Sequence, residues 1–408
     1  MNREKPNLAS QEGTLEKQWE KDFSEMRILK AEWLITRRCN INCGYCRIRD
    51  DSTLKDPEMD TEGLVRTVKM FGELWPGAPM VVYGGEPTLR DDLPDLLRAG
   101  KEAGVKLPVI SNGVRVVKDL DYAKALVEAG LENWSVSLDA LTQTGTVDRA
   151  AHQKALCGLQ SLIMFRDAFG IRDLVACVTV TKHNILRLPR TLSFLTQLGV
   201  HGIFTPLHIG GPEYEYGQGS WEDMPSQKDI DMMSTAMYEM VKSGEYLCSN
   251  DAEWFETWPK HFLKQDWICN DKGLVTIDAD GSLKYCVDIP FRQEDRMHVH
   301  ELETSEGRKK WLETIQKGPD CKGCLWNPAY ECIKRSRDPE IGVEEGRRRS
   351  RHCVPDDQAK KLFNGAGRWF KGNPELVPVE PKCSPKDAIL RARNLVADLF
   401  PSGQQSLL

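Results

Sequence analysis

No stretch of the sequence approaches the roughly 20 consecutive apolar residues that span a bilayer. The opening MNREKPNLASQEG holds no apolar segment of the kind that forms the core of a secretory signal. Neither a membrane protein nor an exported one is expected, and the cytoplasm is the compartment this implies. Positive charge does not exceed negative: the formal net charge is −6, so there is no basic field to draw the chain onto phosphate backbones. Nucleic acid is therefore not an expected partner. A disulfide framework is also out of place in a reducing compartment. What the chain does have is 408 residues, 40% of them hydrophobic, and 13 cysteines. That length supports one large domain and a smaller one. So many thiols in a long intracellular chain point to metal ligation.

Short β-rich runs alternate with longer helical ones. Strands are expected at Ala31 to Thr36, Met80 to Tyr83, Leu107 to Ile110, Trp134 to Leu138, Leu174 to Thr181 and Ile203 to Leu207. Helices are expected at Thr61 to Leu74, Leu93 to Ala103, Tyr122 to Ala129, Arg149 to Phe169 and Leu188 to Leu198. Strands joined by crossover helices predict an α/β fold with a parallel sheet. Right-handed crossovers would curl it into an open barrel with its functional rim at the C-terminal strand ends. The division expected is an N-terminal extension (1–28), the barrel (29–245), a small cysteine-rich unit with a β-hairpin (246–353) and a tail (354–408). Further helices are expected near Lys228 to Ser243, around Ser305 to Ile315 and at Pro385 to Leu399. In the last of these Ile389, Leu390, Leu395, Val396 and Leu399 could pack on the body.

Cys39, Cys43 and Cys46 fall in one loop after the first strand. At this cysteine frequency such a spacing arises by chance in about one chain in a hundred, so chance explains it poorly. Three thiolates can each take one iron of a cubane and leave the fourth iron open, which a ligand-binding cluster needs and a carrier cluster does not. Zinc is the alternative metal, although its structural sites usually show two CxxC-like pairs.

With Gly84-Gly85-Glu86-Pro87 directly after the second strand, this CxxxCxxC loop resembles the radical S-adenosylmethionine (SAM) superfamily. The resemblance implies a partial (β/α)6 barrel and a 4Fe-4S cluster on Cys39, Cys43 and Cys46. It also implies that SAM is bound by the GGEP segment through its methionyl amino group. Glycine permits close backbone approach, and a carboxylate or carbonyl can accept from an ammonium. Ser111-Asn112 ends strand three as a similar segment does in the family. Ser137 and Asp139, at the end of strand four, are candidates for the ribose or carboxylate of the cofactor. Tyr45 stands where the family sets an aromatic against adenine, and Asn184 could approach the same ligand. The superfamily reduces SAM to methionine and a 5'-deoxyadenosyl radical that abstracts hydrogen from a C–H bond.

Cys269 is followed by Gly281 and Cys286, and then by the CxxC of Cys321 and Cys324. Asp280-Gly281 is a hairpin turn signal that would bring Cys269 and Cys286 together across its base. Zinc on these four thiols is a serious alternative. The pattern resembles the auxiliary-cluster extension called SPASM, or its one-cluster form, twitch. That implies one auxiliary 4Fe-4S cluster on Cys269, Cys286, Cys321 and Cys324. The spacing beyond Cys324 departs from the two-cluster pattern, and Cys332, Cys353 and Cys383 fit no recognisable ligand set.

A complete auxiliary cluster most simply moves electrons, so a dehydrogenase is the favoured reaction class. An epimerase with Cys248 as hydrogen donor is the alternative, and packing is the ordinary role for that thiol. A non-catalytic iron–sulfur electron carrier is the reading from another class; it would leave GGEP without a task. About 28 residues precede the first strand, which disfavours a leader-binding module and hence a peptide substrate. Glu213, Tyr214, Glu215, Tyr216 and Trp221, in the loop after strand six, suit a polar small molecule. A reducing partner such as flavodoxin or ferredoxin is implied.

Overall fold

The computed structural model describes residues 19–26, 28–43, 46, 57–139, 149–209, 221–264, 273–287, 289–318 and 383–399, with backbone alone at 149–153 and 393–399. Its strands are β1 (Lys30–Thr36), β2 (Met80–Gly84), β3 (Val109–Ser111), β4 (Asn133–Ser137), β5 (Asp173–Val180), β6 (His201–Pro206), β7 (Leu274–Ile277) and β8 (Leu283–Lys284). They form one sheet in the order β6-β5-β4-β3-β2-β1-β7-β8. From β6 to β7 every neighbour is parallel, and β7 pairs antiparallel with β8. Six of the eight are the strands expected from the sequence, in the order right-handed crossovers would give.

The hairpin is the unexpected part of the sheet. β7 lies parallel to β1, with Lys30 opposite Leu274 and Trp33 opposite Ile277. The sheet therefore runs across the expected division at residue 245. Asp280-Gly281 turns the hairpin as the sequence predicts, with Gly281 at φ +87°. A Cβ there would also run into the His298 ring, so glycine answers both to the turn and to its neighbour.

The helices are α1 (Thr61–Leu74), α2 (Leu93–Ala103), α3 (Val114–Lys118), α4 (Leu120–Glu128), α5 (Arg149–Phe169), α6 (Leu188–Gln197), α7 (Gln227–Lys242), α8 (Ala252–His261), α9 (Ser305–Lys317) and α10 (Pro385–Leu399). Asp60 caps α1 by accepting from Gly63 N, and the helix buries Leu64, Val68 and Phe71 at helical spacing. α10 contributes Ala388, Ile389 and Ala392 to the core around α5. Leu390, expected to pack, is 55% exposed because it sits one position off that stripe. α8 was not legible: Pro259 interrupts its pattern, yet Trp254, Phe255 and Trp258 are fully buried with Phe204 and Phe262 in a second core beside β5 and β6. Among the described residues no helix is long and apolar enough to cross a membrane.

Candidate functional site

Because β1 to β6 are parallel, Thr36, Gly84, Ser111, Ser137, Val180 and Pro206 end at one rim. The cysteine loop leaves β1 there. Cys46 N donates to Cys43 O at 3.0 Å, and Ile41 N donates to Cys39 Sγ at 3.5 Å. All three thiols are free of disulfides, with Cys39 exposed and Cys43 buried. Burial pushes the Cys43 thiol up to about 11, and the nearby Lys154 ammonium opposes that rise, while Asp139, Cys46 and Cys39 add to it. The three thiols thus share one electrostatic neighbourhood. Among the described residues no three Cys, His, Asp or Glu side chains converge on a point sized for a single ion.

The GGEP turn grips this loop. Gly85 N donates to Thr36 O at 2.7 Å and Glu86 N to Arg38 O at 2.8 Å. A Cβ on Gly84 would run into the Thr36 carbonyl, and one on Gly85 into those of Arg37 and Arg38. The two glycines are needed for the close approach of the cysteine loop itself, beyond any approach of a ligand. Pro87 starts the short turn that follows, where its missing N–H costs nothing.

The Glu86 side chain is buried beneath the loop. It is 1% exposed. Oε1 accepts from Thr88 N (3.0 Å), Thr88 Oγ1 (2.6 Å) and Ser111 Oγ (2.7 Å), and Oε2 accepts from Asn112 N (2.7 Å). Burial raises its pKa above the ordinary carboxylate range, and those four donors hold it down. The carboxylate thus joins β2 to β3, and the backbone carbonyls are the other acceptors the GGEP segment offers to an ammonium. Asn112 in turn donates from Nδ2 to Asn40 Oδ1 at 2.7 Å, beside Cys39.

Asp139 and Asn184 bond the strand ends on this rim. Asp139 Oδ1 accepts from Thr179 N at 2.8 Å, and Oδ2 pairs with Lys154 Nζ at 2.9 Å, with both side chains largely buried. Asn184 donates to Asp139 O (2.9 Å) and Thr179 O (2.7 Å) and accepts from Thr181 N (2.9 Å). Its amide staples the ends of β4 and β5 together. Ser137 lies opposite Cys177 at the end of β4, and its hydroxyl makes no hydrogen bond among the described residues.

Cys248 is at the wrong end of the barrel for a hydrogen donor to the rim. It bridges Gly202, the second residue of β6, and Ser249 N donates to Gly202 O at 2.9 Å. Four further residues of β6 separate Gly202 from the rim, roughly 13 Å at strand rise. Burial pushes its thiol up to about 12, and it packs against the β5–β6 core. The epimerase alternative would need this thiol at the rim.

Cys286 follows β8 and is half-buried. Cys269, Cys321, Cys324, Cys332, Cys353 and Tyr45 lie outside the described residues, as do positions 210–220 of the loop after β6; Trp221 is described and exposed. Cys383 packs against the main core. Sequence reasoning missed Asn40, Glu58 and Lys154. Lys154 lies on a different face of α5 from Leu156 and Leu159 and carries no local signal in the sequence. Glu58 has none either, being a surface-type residue that only the return of the loop brings to Thr36.

Residues 33–160 match the family model described as the Radical SAM superfamily. Fe-coproporphyrin III synthase of Methanosarcina barkeri is 31% identical over 43% of this chain and 43% of its own length. The AdoMet-dependent heme synthase of the same organism is 27% identical over 52% of this chain and 58% of its own. The chain thus spans about half the length of these two relatives. The tungsten-containing aldehyde ferredoxin oxidoreductase cofactor-modifying protein of Pyrococcus furiosus is 24% identical over 74% of this chain and 88% of its own. The fold resembles that of Streptococcus suis SuiB bound to S-adenosylmethionine, with a TM-score of 0.50 at 13% identity, covering 70% of this chain and 67% of that one. The family match starts in β1 and runs into α5, so the match to the Radical SAM superfamily covers both the cysteine loop and the GGEP turn, residues 33–160 of the chain.

Proposed function

We propose that this radical SAM enzyme removes hydrogen from a polar small molecule and oxidises it, delivering the surplus electron to an auxiliary cluster. The observation that supports this most is the cysteine loop held at the barrel rim by two backbone bonds from the GGEP turn. Cys39, Cys43 and Cys46 would hold a 4Fe-4S cluster. When bound with SAM, that cluster supplies one electron for cleavage to methionine and the 5'-deoxyadenosyl radical, which takes a hydrogen atom from the substrate.

The chain's own residues would do the rest. With Glu86 committed elsewhere, the carbonyls of Gly84 and Gly85 are the acceptors assigned to the methionyl ammonium. Ser137 and Tyr45 are assigned to the ribose and adenine. Cys269, Cys286, Cys321 and Cys324 would hold the auxiliary cluster. The balance is then complete: the substrate loses one hydrogen atom to the radical, a proton to solvent and an electron to the auxiliary cluster. A flavodoxin or ferredoxin would supply the initiating electron. Two relatives are named for a porphyrin and for a modified cofactor, which supports a polar small molecule over a peptide. Anaerobic turnover with candidate substrates tests the reading: the product should be two mass units lighter, and unchanged mass with solvent deuterium on carbon would reject oxidation.

A further inference from the structure

Arg37 stands two residues before Cys39, at the start of the cysteine loop. Its Nη2 reaches across to the β7–β8 turn and donates to Asp278 Oδ1 at 2.6 Å. Asp278 Oδ2 takes Lys284 Nζ at 3.3 Å, and the same ammonium donates to Val287 O at 3.2 Å, the carbonyl next to Cys286. The three side chains are 3%, 8% and 4% exposed. The far end of the loop comes to the same place, because Met59 N donates to Ala279 O at 2.8 Å. Glu58 Oε1 closes the neck between the two ends by accepting from Arg37 N (2.8 Å) and Thr36 Oγ1 (2.7 Å). Asp278-Ala279 therefore holds both ends of the loop that carries Cys39, Cys43 and Cys46.

Buried ion groups carry a desolvation cost, and apolar residues of similar volume would often be as stable or more so. What they supply is directional bonding. Here it spans 241 positions of sequence, from the first cysteine loop to the strand pair that ends at Cys286.

We propose that Arg37, Asp278 and Lys284 form a latch through which the Cys286 hairpin sets the position of the Cys39–Cys46 loop, with Asp278 as a positioning residue. The ordering of one cysteine site then favours the other. Only the last link, from Cys286, rests on the reading of that thiol as an auxiliary-cluster ligand.

Hydrogen exchange, read by mass spectrometry on the full chain as purified anaerobically, tests the latch. Asp278→Asn should speed exchange of peptides covering 37–46 by roughly tenfold, the effect of losing one charge-assisted bond, and should lower SAM affinity in equilibrium binding. Cys286→Ala should also loosen 37–46 in the wild-type background and add little once Asp278→Asn is present. Unchanged exchange at 37–46 in Asp278→Asn, with hairpin peptides 274–287 still protected, would overturn the latch. Should Asp278→Asn fail to fold, Lys284→Met keeps the Arg37–Asp278 bond. Loosening of 284–287 without any change at 37–46 would then contradict the relay. If Cys286→Ala leaves iron per chain unchanged, the ligand reading fails, and the Asp278→Asn result still decides the latch.

Discussion

The Asn112 side chain donates to Asn40 Oδ1 at 2.7 Å, tying the end of β3 to the residue beside Cys39. Asn112 N is held by Glu86, and Glu86 N by Arg38 O. β1, β2 and β3 therefore end in one hydrogen-bonded unit around the cysteine loop. Asn112→Ala should weaken SAM binding about tenfold, through loss of one loop contact, with iron per chain unchanged. Isothermal binding beside elemental analysis checks it. Loss of iron in parallel with affinity would mean that Asn112 supports the cluster itself.

Glu86→Ala should be a stability variant first. It leaves the Asn112 N–H, the Thr88 N–H and two hydroxyls without their buried acceptor, at a cost of roughly 2–4 kcal/mol. Glu86→Gln keeps the shape and one acceptor oxygen and should cost less. Urea unfolding of the two variants gives the comparison. Native stability with weakened SAM binding in Glu86→Ala would restore the carboxylate to a direct ligand role.

Asn184→Ala should cost about 1–3 kcal/mol for the lost staple between β4 and β5. Its SAM affinity should fall no further than its stability explains. A large drop in affinity at native stability would return Asn184 to the cofactor.

Cys248→Ala should leave 5'-deoxyadenosine formation and product mass unchanged, because the thiol packs at the lower end of β6. Product chromatography with mass detection checks this. A variant that still makes 5'-deoxyadenosine but no product would revive the donor role.

His300 gives a pH dependence with a definite sign. Its Nε2 lies 2.9 Å from Thr67 Oγ1 and 3.2 Å from Gly63 O, linking the segment before α9 to α1. Burial first, then the charges of His298 and Arg66, hold its pKa below the ordinary value. As pH falls through the unfolded value near 6.5, the unfolded chain takes up a proton that the folded one refuses, so stability drops until the folded value is passed. Urea midpoints between pH 7.5 and 5 should fall more steeply for wild type than for His300→Gln. Equal slopes would remove His300 from the acid response.

Periodicity located β1 to β6 and most helices, because each buries one face whose spacing is visible locally. The pairing of β7 with β1 was not visible, since it joins Lys30 to Leu274 across most of the chain. Cys39, Cys43 and Cys46 stood out by spacing, and the GGEP turn by the resemblance it completes with them. Their supports did not: Glu86, Asp139 and Asn184 look like ligand-binding residues in sequence, and only the geometry shows their polar atoms committed to neighbouring strands. Arg37, Asp278 and Lys284 are ordinary charges until the fold buries them together.

The central claim is tested most directly by reducing the anaerobically reconstituted chain in the presence of SAM and separating the products for 5'-deoxyadenosine. Wild type should form it. Cys39→Ala, Cys43→Ala and Cys46→Ala together should abolish it and remove about four irons per chain while the auxiliary iron stays. No 5'-deoxyadenosine from an iron-loaded wild type, or undiminished formation by the triple variant, would contradict the account.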